Sequence, residues 1–223
     1  MASLKRPLKK EVREALLEGD FDHILDLAGR NKRVFSILIS MAYDKESLAA
    51  WRAIKVMGLA VGALAERDPG MARDIIHRLL WSVTEESGAI GWSTPEMLAE
   101  IVIHGHGRFD DLPPIILSLQ EEPPFVRGVV WAAGRLAEAG LSPAPGAAGL
   151  VTACLGHEDP QVRGLAVWAA GGLGLTAALP QIQGLTGDDY RFSLYDGHEL
   201  SSIRIGTMAS KVIEDLQVNY QFL

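Results

Sequence analysis

The chain has a single cysteine, Cys154. One thiol closes no intramolecular disulfide, which suits a reducing compartment and excludes a disulfide-framed secreted fold. Cys154 sits in the apolar run Gly149-Leu150-Val151-Thr152-Ala153-Cys154-Leu155 and reads as a buried small hydrophobe. Positive charge is also scarce. The chain carries 21 Lys and Arg against 28 Asp and Glu, a net charge of −7 with a pI near 5.4. Such a chain lacks the basic footprint of a nucleic-acid binder. In the first 33 residues eight Lys and Arg meet six acids, a small excess that solvates a terminal helix. Long apolar runs are missing too. Val56–Ala65 is about half the ~20 residues a membrane-crossing helix needs. The basic Met1–Lys10 stretch is followed by Glu11, Arg13 and Glu14, not by the apolar core of a secretory signal. A soluble, cytoplasmic chain without membrane contact is expected. Catalytic signatures are absent as well. There is no G-x-x-x-x-G-K-[ST] loop, no G-x-G-x-x-G after a strand and no recognisable Ser-His-Asp or Cys-His set. His104-Gly105-His106-Gly107 is too short and too charged to cradle a phosphate.

What the chain does have is a repeated phrase. Pro124-Phe125-Val126-Arg127-Gly128-Val129-Val130-Trp131-Ala132-Ala133-Gly134 is echoed by Asp159-Pro160-Gln161-Val162-Arg163-Gly164-Leu165-Ala166-Val167-Trp168-Ala169-Ala170-Gly171. The two tryptophans lie 37 residues apart, a period that marks a helical repeat array. Hydrophobic content of 48% in 223 residues supports one repeat domain, divided as 1–45 (N-terminal helices), 46–183 (repeat pairs) and 184–223 (hairpin and capping helix).

Apolar residues at three- and four-residue spacing predict helices over Lys9–Glu18, Phe21–Ala28, Arg33–Tyr43 and Lys45–Glu66. A further helix starts at Pro69 and runs to about Trp81. Thr94 and Pro95 predict the cap and first residue of a helix that stops at His104-Gly105. Asp110-Asp111 opens another, through Leu119. Leu141–Gly146 is a loop, and Ala147–Leu155 with Pro160–Leu175 forms a helix pair. Near the end, Arg191–Tyr195, Asp196-Gly197 and His198–Ile205 read as a β-hairpin with a type I′ turn. Gly206-Thr207 then caps a last helix, Met208–Leu216. Arg204, 41 residues after Arg163, belongs to the hairpin and is not a third repeat arginine.

Asp159 caps the repeat helix and Pro160 fixes its first turn. Val162, Ala166, Ala169 and Ala170 share one face, and their small side chains let neighbouring helices approach. Arg163 has a stem long enough to reach acids or carbonyls of the next repeat. On these residues the chain resembles the HEAT-repeat family, in particular the short bacterial HEAT-like repeats named after phycobilisome lyases. The match rests on Asp159-Pro160-Gln161-Val162-Arg163-Gly164-Leu165-Ala166 with Gly171. Val126-Arg127 with Trp131-Ala132-Ala133-Gly134 matches more loosely, with one residue fewer between arginine and glycine. Trp51-Arg52-Ala53, 75 residues before Arg127, is a candidate degenerate copy. The resemblance implies an all-α fold, a right-handed α-α superhelix (HEAT-like solenoid) of five or six helix pairs, to which the Asp196-Gly197 pattern adds a small C-terminal β-hairpin. It says little about activity, because such folds host scaffolds, lyases, an oxygenase and DNA-repair proteins.

The segment Trp81–Trp92 departs most from the repeat. Two tryptophans bracket Glu85, Glu86 and two glycines, with Glu96 and Glu100 four apart on the next helix. Aromatic walls with carboxylate acceptors suit a cation, an amine or a partner's arginine. The same residues also suit an inter-helix turn whose tryptophans plug the core. His77, His104 and His106 are weak metal candidates without a recognised ligand spacing. Histidines near a helix C-terminus are explained equally well by the helix dipole. Deoxyhypusine hydroxylase binds two irons through repeated His-Glu pairs. Here His157-Glu158 and His198-Glu199 are two pairs, not four, and neither sits where that family's ligands sit. A chromophore lyase would use Trp81, Trp92, Trp131 and Trp168 as a tetrapyrrole groove. A DNA-glycosylase role needs the basic surface this chain lacks. The resulting expectation is a protein-binding scaffold or adaptor without cofactor, binding another protein, with a homodimer possible. The alternative is a ligand- or metal-binding protein using the Trp81–Trp92 loop. Arg127, Trp131, Asp159, Pro160, Arg163 and Trp168 are expected to serve the repeat itself.

Overall fold

The computed structural model describes residues 7–84 and 91–220. The chain divides into two compact units, Met1–Phe109 and Asp110–Leu223. The boundary falls inside the 46–183 segment expected from sequence.

Unit 1 holds α1 (Leu8–Glu18), α2 (Phe21–Arg30), α3 (Arg33–Met41), α4 (Leu48–Ala65), α5 (Pro69–Thr84) and α6 (Thr94–His104). Gly19 ends α1 in the left-handed conformation, at φ 76°, which only glycine adopts without strain. Asp20 then caps α2 by accepting from the His23 amide at 3.1 Å. The core helix is α4, packed by α2, α3, α5 and α6. It is a described helix long and apolar enough to cross a membrane: 18 residues at a mean hydropathy of 1.5, with 61% of it buried in this structure. The sequence shows only its second half as an apolar run because Arg52 and Lys55 interrupt the first. Arg52 spends its charge locally. Its Nη1 donates to the carbonyls of Leu16 and Leu17 at 2.9 and 2.7 Å, closing the open end of α1.

Unit 2 holds α7 (Leu112–Ser118), α8 (Val126–Glu138), α9 (Ala147–Cys154), α10 (Pro160–Gly172), α11 (Leu179–Gly184), strands β1 (Arg191–Tyr195) and β2 (Leu200–Arg204), and α12 (Ile205–Tyr220). The repeat phrase forms α8 and α10, which lie side by side, and α12 continues the stack on α10. The repeat glycines explain the spacing. A Cβ on Gly134 of α8 would stand 2.5 Å from the Trp168 ring on α10. A Cβ on Gly171 of α10 would stand 2.9 Å from Val212 on α12. Equivalent glycines thus face the next helix along, as a repeat stack requires.

The all-α fold with a small C-terminal hairpin is what the structure shows. Its details differ at four places. The strands pair antiparallel with Tyr195 opposite Leu200, so the loop is four residues long, not a two-residue type I′ turn. Only Gly197 has positive φ there. Asp196 closes the loop instead, its Oδ1 accepting from the amides of His198 and Glu199, both at 2.9 Å. Next, α12 starts at Ile205, directly after β2, and Gly206 lies inside it. The Gly206 amide donates to Asp188 O at 2.9 Å, and no side chain would fit beneath it. Ser93, not Thr94, is the residue before α6, and it makes no side-chain cap. Finally, α11 is a short helix that the sequence conceals.

Candidate partner-binding site

The five tryptophans divide sharply. Trp51, Trp131 and Trp168 are buried, whereas Trp81 is 70% exposed and Trp92 is 37% exposed. The buried three have structural partners. Trp51 Nε1 donates to Lys45 O at 2.8 Å, Trp131 Nε1 to Tyr195 O at 3.0 Å, and Trp168 Nε1 to Glu138 Oε1 at 3.1 Å. Trp131 and Trp168 therefore pack the repeat and line no open groove.

The two exposed tryptophans sit at one end of unit 1. Trp81 is in the last turn of α5, and Trp92 immediately precedes α6. Gly91 brings the two segments together: a Cβ there would stand 2.7 Å from the Ser82 carbonyl oxygen. Three polar ties fix the start of α6. Ser93 Oγ donates to Ala42 O at 2.6 Å, and Thr94 Oγ1 donates to Leu79 O at 3.3 Å. Lys45 Nζ donates to Trp92 O at 2.7 Å and to Glu96 Oε1 at 2.5 Å. The turn after α3 is thereby drawn to the same end, and with it the exposed Tyr43, Asp44 and Glu46.

Beneath this surface lies a buried polar stripe. Glu96 and Glu100, expected from sequence among the acceptors of the binding surface, are instead fully buried, and His104 continues their line at i+4 spacing. The reason is the close approach of α6 to α4. A Cβ on Gly58 would stand 2.5 Å from the backbone of Glu100, and Gly62 lies equally tight against His104. Glu96 is balanced by Lys45, whose side chain is 12% exposed. Its second oxygen, Oε2, has no hydrogen-bond partner among the described residues. His104 Nε2 is 3.2 Å from Glu100 Oε2, close enough for charge pairing but not aligned as a hydrogen bond.

Glu85 and Glu86 lie outside the described residues. His77 and His106 are exposed. Among the described residues, no three of His, Cys, Asp and Glu gather into a group that would hold a metal. His157 Nδ1 accepts from the Asp159 amide at 3.0 Å, a local loop contact. Cys154 is buried, and burial pushes its thiol up from the ordinary cysteine value.

Asp159 Oδ1 accepts from the Gln161 amide at 2.8 Å, so it caps α10, with Pro160 as first residue. Arg163 Nε and Nη2 both reach Asp188 Oδ2 at 2.9 Å, and Nη1 donates to His157 O at 2.7 Å. Arg127 is half-buried on α8. Two groups have no signal in the sequence. Lys45 stands in an ordinary polar turn. Glu138 is raised above the usual glutamate value by burial, against the opposing pull of the Trp168 hydrogen bond and Arg135.

No protein-family model matches the chain. A search of curated proteins finds no match either. Among solved structures, the chain is similar to an archaeal HEAT-like repeats protein from Thermococcus onnurineus NA1. The identity is 14% and the TM-score 0.38, over 96% of this chain and 99% of that one.

Proposed function

We propose that this chain is a protein-binding scaffold whose docking surface is the end of unit 1 around Trp81 and Trp92. The observation that carries the reading is the split among the tryptophans: three are buried, and two, on the segments that Gly91 brings together, are exposed. Exposed tryptophan is costly to keep in water and is enriched where proteins bind one another. The surface is also held in place. Lys45, Ser93 and Thr94 fix the backbone around Trp92, so little order remains to be imposed on binding. The partner is another protein, with a second copy of this chain as one outcome. Nucleic acid is disfavoured by the net charge of −7. A cytoplasmic location and kinship with the short bacterial HEAT-like repeats belong to the same reading. They rest on the single thiol and on residues 159–171.

The test replaces Trp81 with a photoreactive phenylalanine analogue in the full chain, expressed in its source cells. Irradiation should yield one dominant crosslinked protein. The same analogue at exposed Val218 should not capture that protein. An empty result at position 81 would contradict the scaffold reading.

A further inference from the structure

Resting on that reading, we propose that the unit 1 surface takes a segment of another protein carrying arginine or lysine, with the cationic side chain held against Trp81 and Trp92.

The first ground is the kind of apolar surface exposed. Among the described residues of unit 1, the large exposed hydrophobics are Leu17, Tyr43, Trp81 and Trp92. Three of the four are aromatic, and all three aromatics belong to the segments that meet at this end. A groove for an amphipathic helix would present aliphatic side chains in a row. Exposed aromatic side chains set among polar residues suit a guanidinium or ammonium, which the ring quadrupole attracts while the charge keeps part of its water.

The second ground is charge. The described residues around the tryptophans supply Asp44, Glu46 and Glu96, against Lys45 and Arg78. Lys45 and Glu96 neutralise each other, and the Lys45 side chain, 12% exposed, is committed to Glu96 and to the Trp92 carbonyl. Arg78, one turn before Trp81, is directed to Ser36 Oγ at 3.3 Å. Asp44 and Glu46 are exposed, and Asp44 Oδ1 holds the Glu46 amide at 3.2 Å, which fixes this turn. The surface is therefore net negative and fits a basic partner.

Glu96, four residues after Trp92, is fully buried and paired with Lys45, so it serves to hold the Trp92 backbone and leaves the surface charge to Asp44 and Glu46. The same features reject a nucleic acid. Bases would stack on tryptophan, but among the described residues here the exposed cation Arg78 is outnumbered by the exposed Asp44 and Glu46, which would repel phosphates.

The experiment titrates the full chain with labelled hexa-arginine, hexa-lysine and hexa-glutamate peptides, read by fluorescence anisotropy. Hexa-arginine should bind saturably, hexa-lysine more weakly and hexa-glutamate not at all. Added salt should weaken the binding. Trp81→Ala and Trp92→Ala should each weaken it roughly tenfold, the scale of one lost cation–π contact. Trp92→Phe keeps the ring and should recover most of the loss, which separates a lost contact from a damaged fold. Absence of saturable binding, or binding unchanged in both alanine variants, would overturn the inference. So would a position-81 crosslink whose contacting peptide lacks arginine and lysine. That last result would leave the scaffold reading standing, whereas an empty crosslink at position 81 would remove both.

Discussion

Lys45 and Glu96 are 51 residues apart in sequence and share a buried ion pair, with Nζ 2.5 Å from Oε1. The pair joins the turn after α3 to the first turn of α6. The same ammonium holds the Trp92 carbonyl, so one cation both neutralises a buried acid and sets the backbone of an exposed aromatic. Breaking such a pair strands a charge out of water, which is costlier than never having had it. Lys45→Met should destabilise unit 1 by about 3–5 kcal/mol, measured by urea unfolding. The double change Lys45→Met with Glu96→Leu should recover most of that loss. A single-variant cost below about 1 kcal/mol would place the pair among weak surface contacts.

The glycines predict opposite signs at different sites. Gly58→Ala drives a methyl into the backbone of Glu100 and should cost about 1–3 kcal/mol through overpacking. Gly149, inside α9, has nothing within 4 Å of a built Cβ. Gly149→Ala should therefore stabilise the protein by about 0.5–1 kcal/mol, from helix propensity alone. Thermal melts of the two variants should move in opposite directions.

Arg163 ties the repeat helix α10 to the chain before β1. It reaches Asp188 with two nitrogens and the His157 carbonyl with a third. A lysine cannot span that fork. Arg163→Lys should cost about 1–3 kcal/mol. Combining it with Asp188→Ala should cost much less than the sum of the two, because both changes remove the same contacts. Strict additivity in the double-mutant cycle would show that the contacts act separately.

Glu138 supplies a pH signature in unit 2. Burial lifts its folded-state pKa above the unfolded value, so the folded state holds the proton more tightly. Its contribution is therefore fully favourable at low pH and is lost as pH rises through the raised value. Glu138→Gln keeps an acceptor for Trp168 Nε1 and removes the titration. The stability of wild type relative to Glu138→Gln should fall as pH rises above the ordinary glutamate range. A difference independent of pH would mean that Glu138 does not titrate in this range.

The fold was far more legible than the site. Helices α1 to α5 announce themselves by periodic apolar residues and by breakers such as Gly19-Asp20 and Pro69. The repeat phrase gives α8 and α10 directly, and β-forming residues flanking Asp196-Gly197 give the hairpin. Where local pattern and tertiary contact conflict, the pattern misleads. Ile203-Arg204-Ile205 looks like continuing strand, yet α12 begins at Ile205 because Gly206 must sit against the 186–188 backbone. Glu96 and Glu100 follow a proline in the first turns of a helix, a position that normally favours solvated acids. Their burial depends on Gly58 and on Lys45, both distant in sequence, and no local pattern reports either. The exposure of Trp81 and Trp92 is likewise a tertiary fact. Trp51, in the same unit, is buried.

The most direct test of the central claim is quantitative affinity capture from source cells, comparing the tagged full chain with its Trp81→Ala/Trp92→Ala variant. Circular dichroism should first show equal helicity in both, since neither side chain is buried. The account predicts a protein held in near-stoichiometric amount by the wild type and lost from the variant. An identical set of captured proteins for the two chains would contradict it.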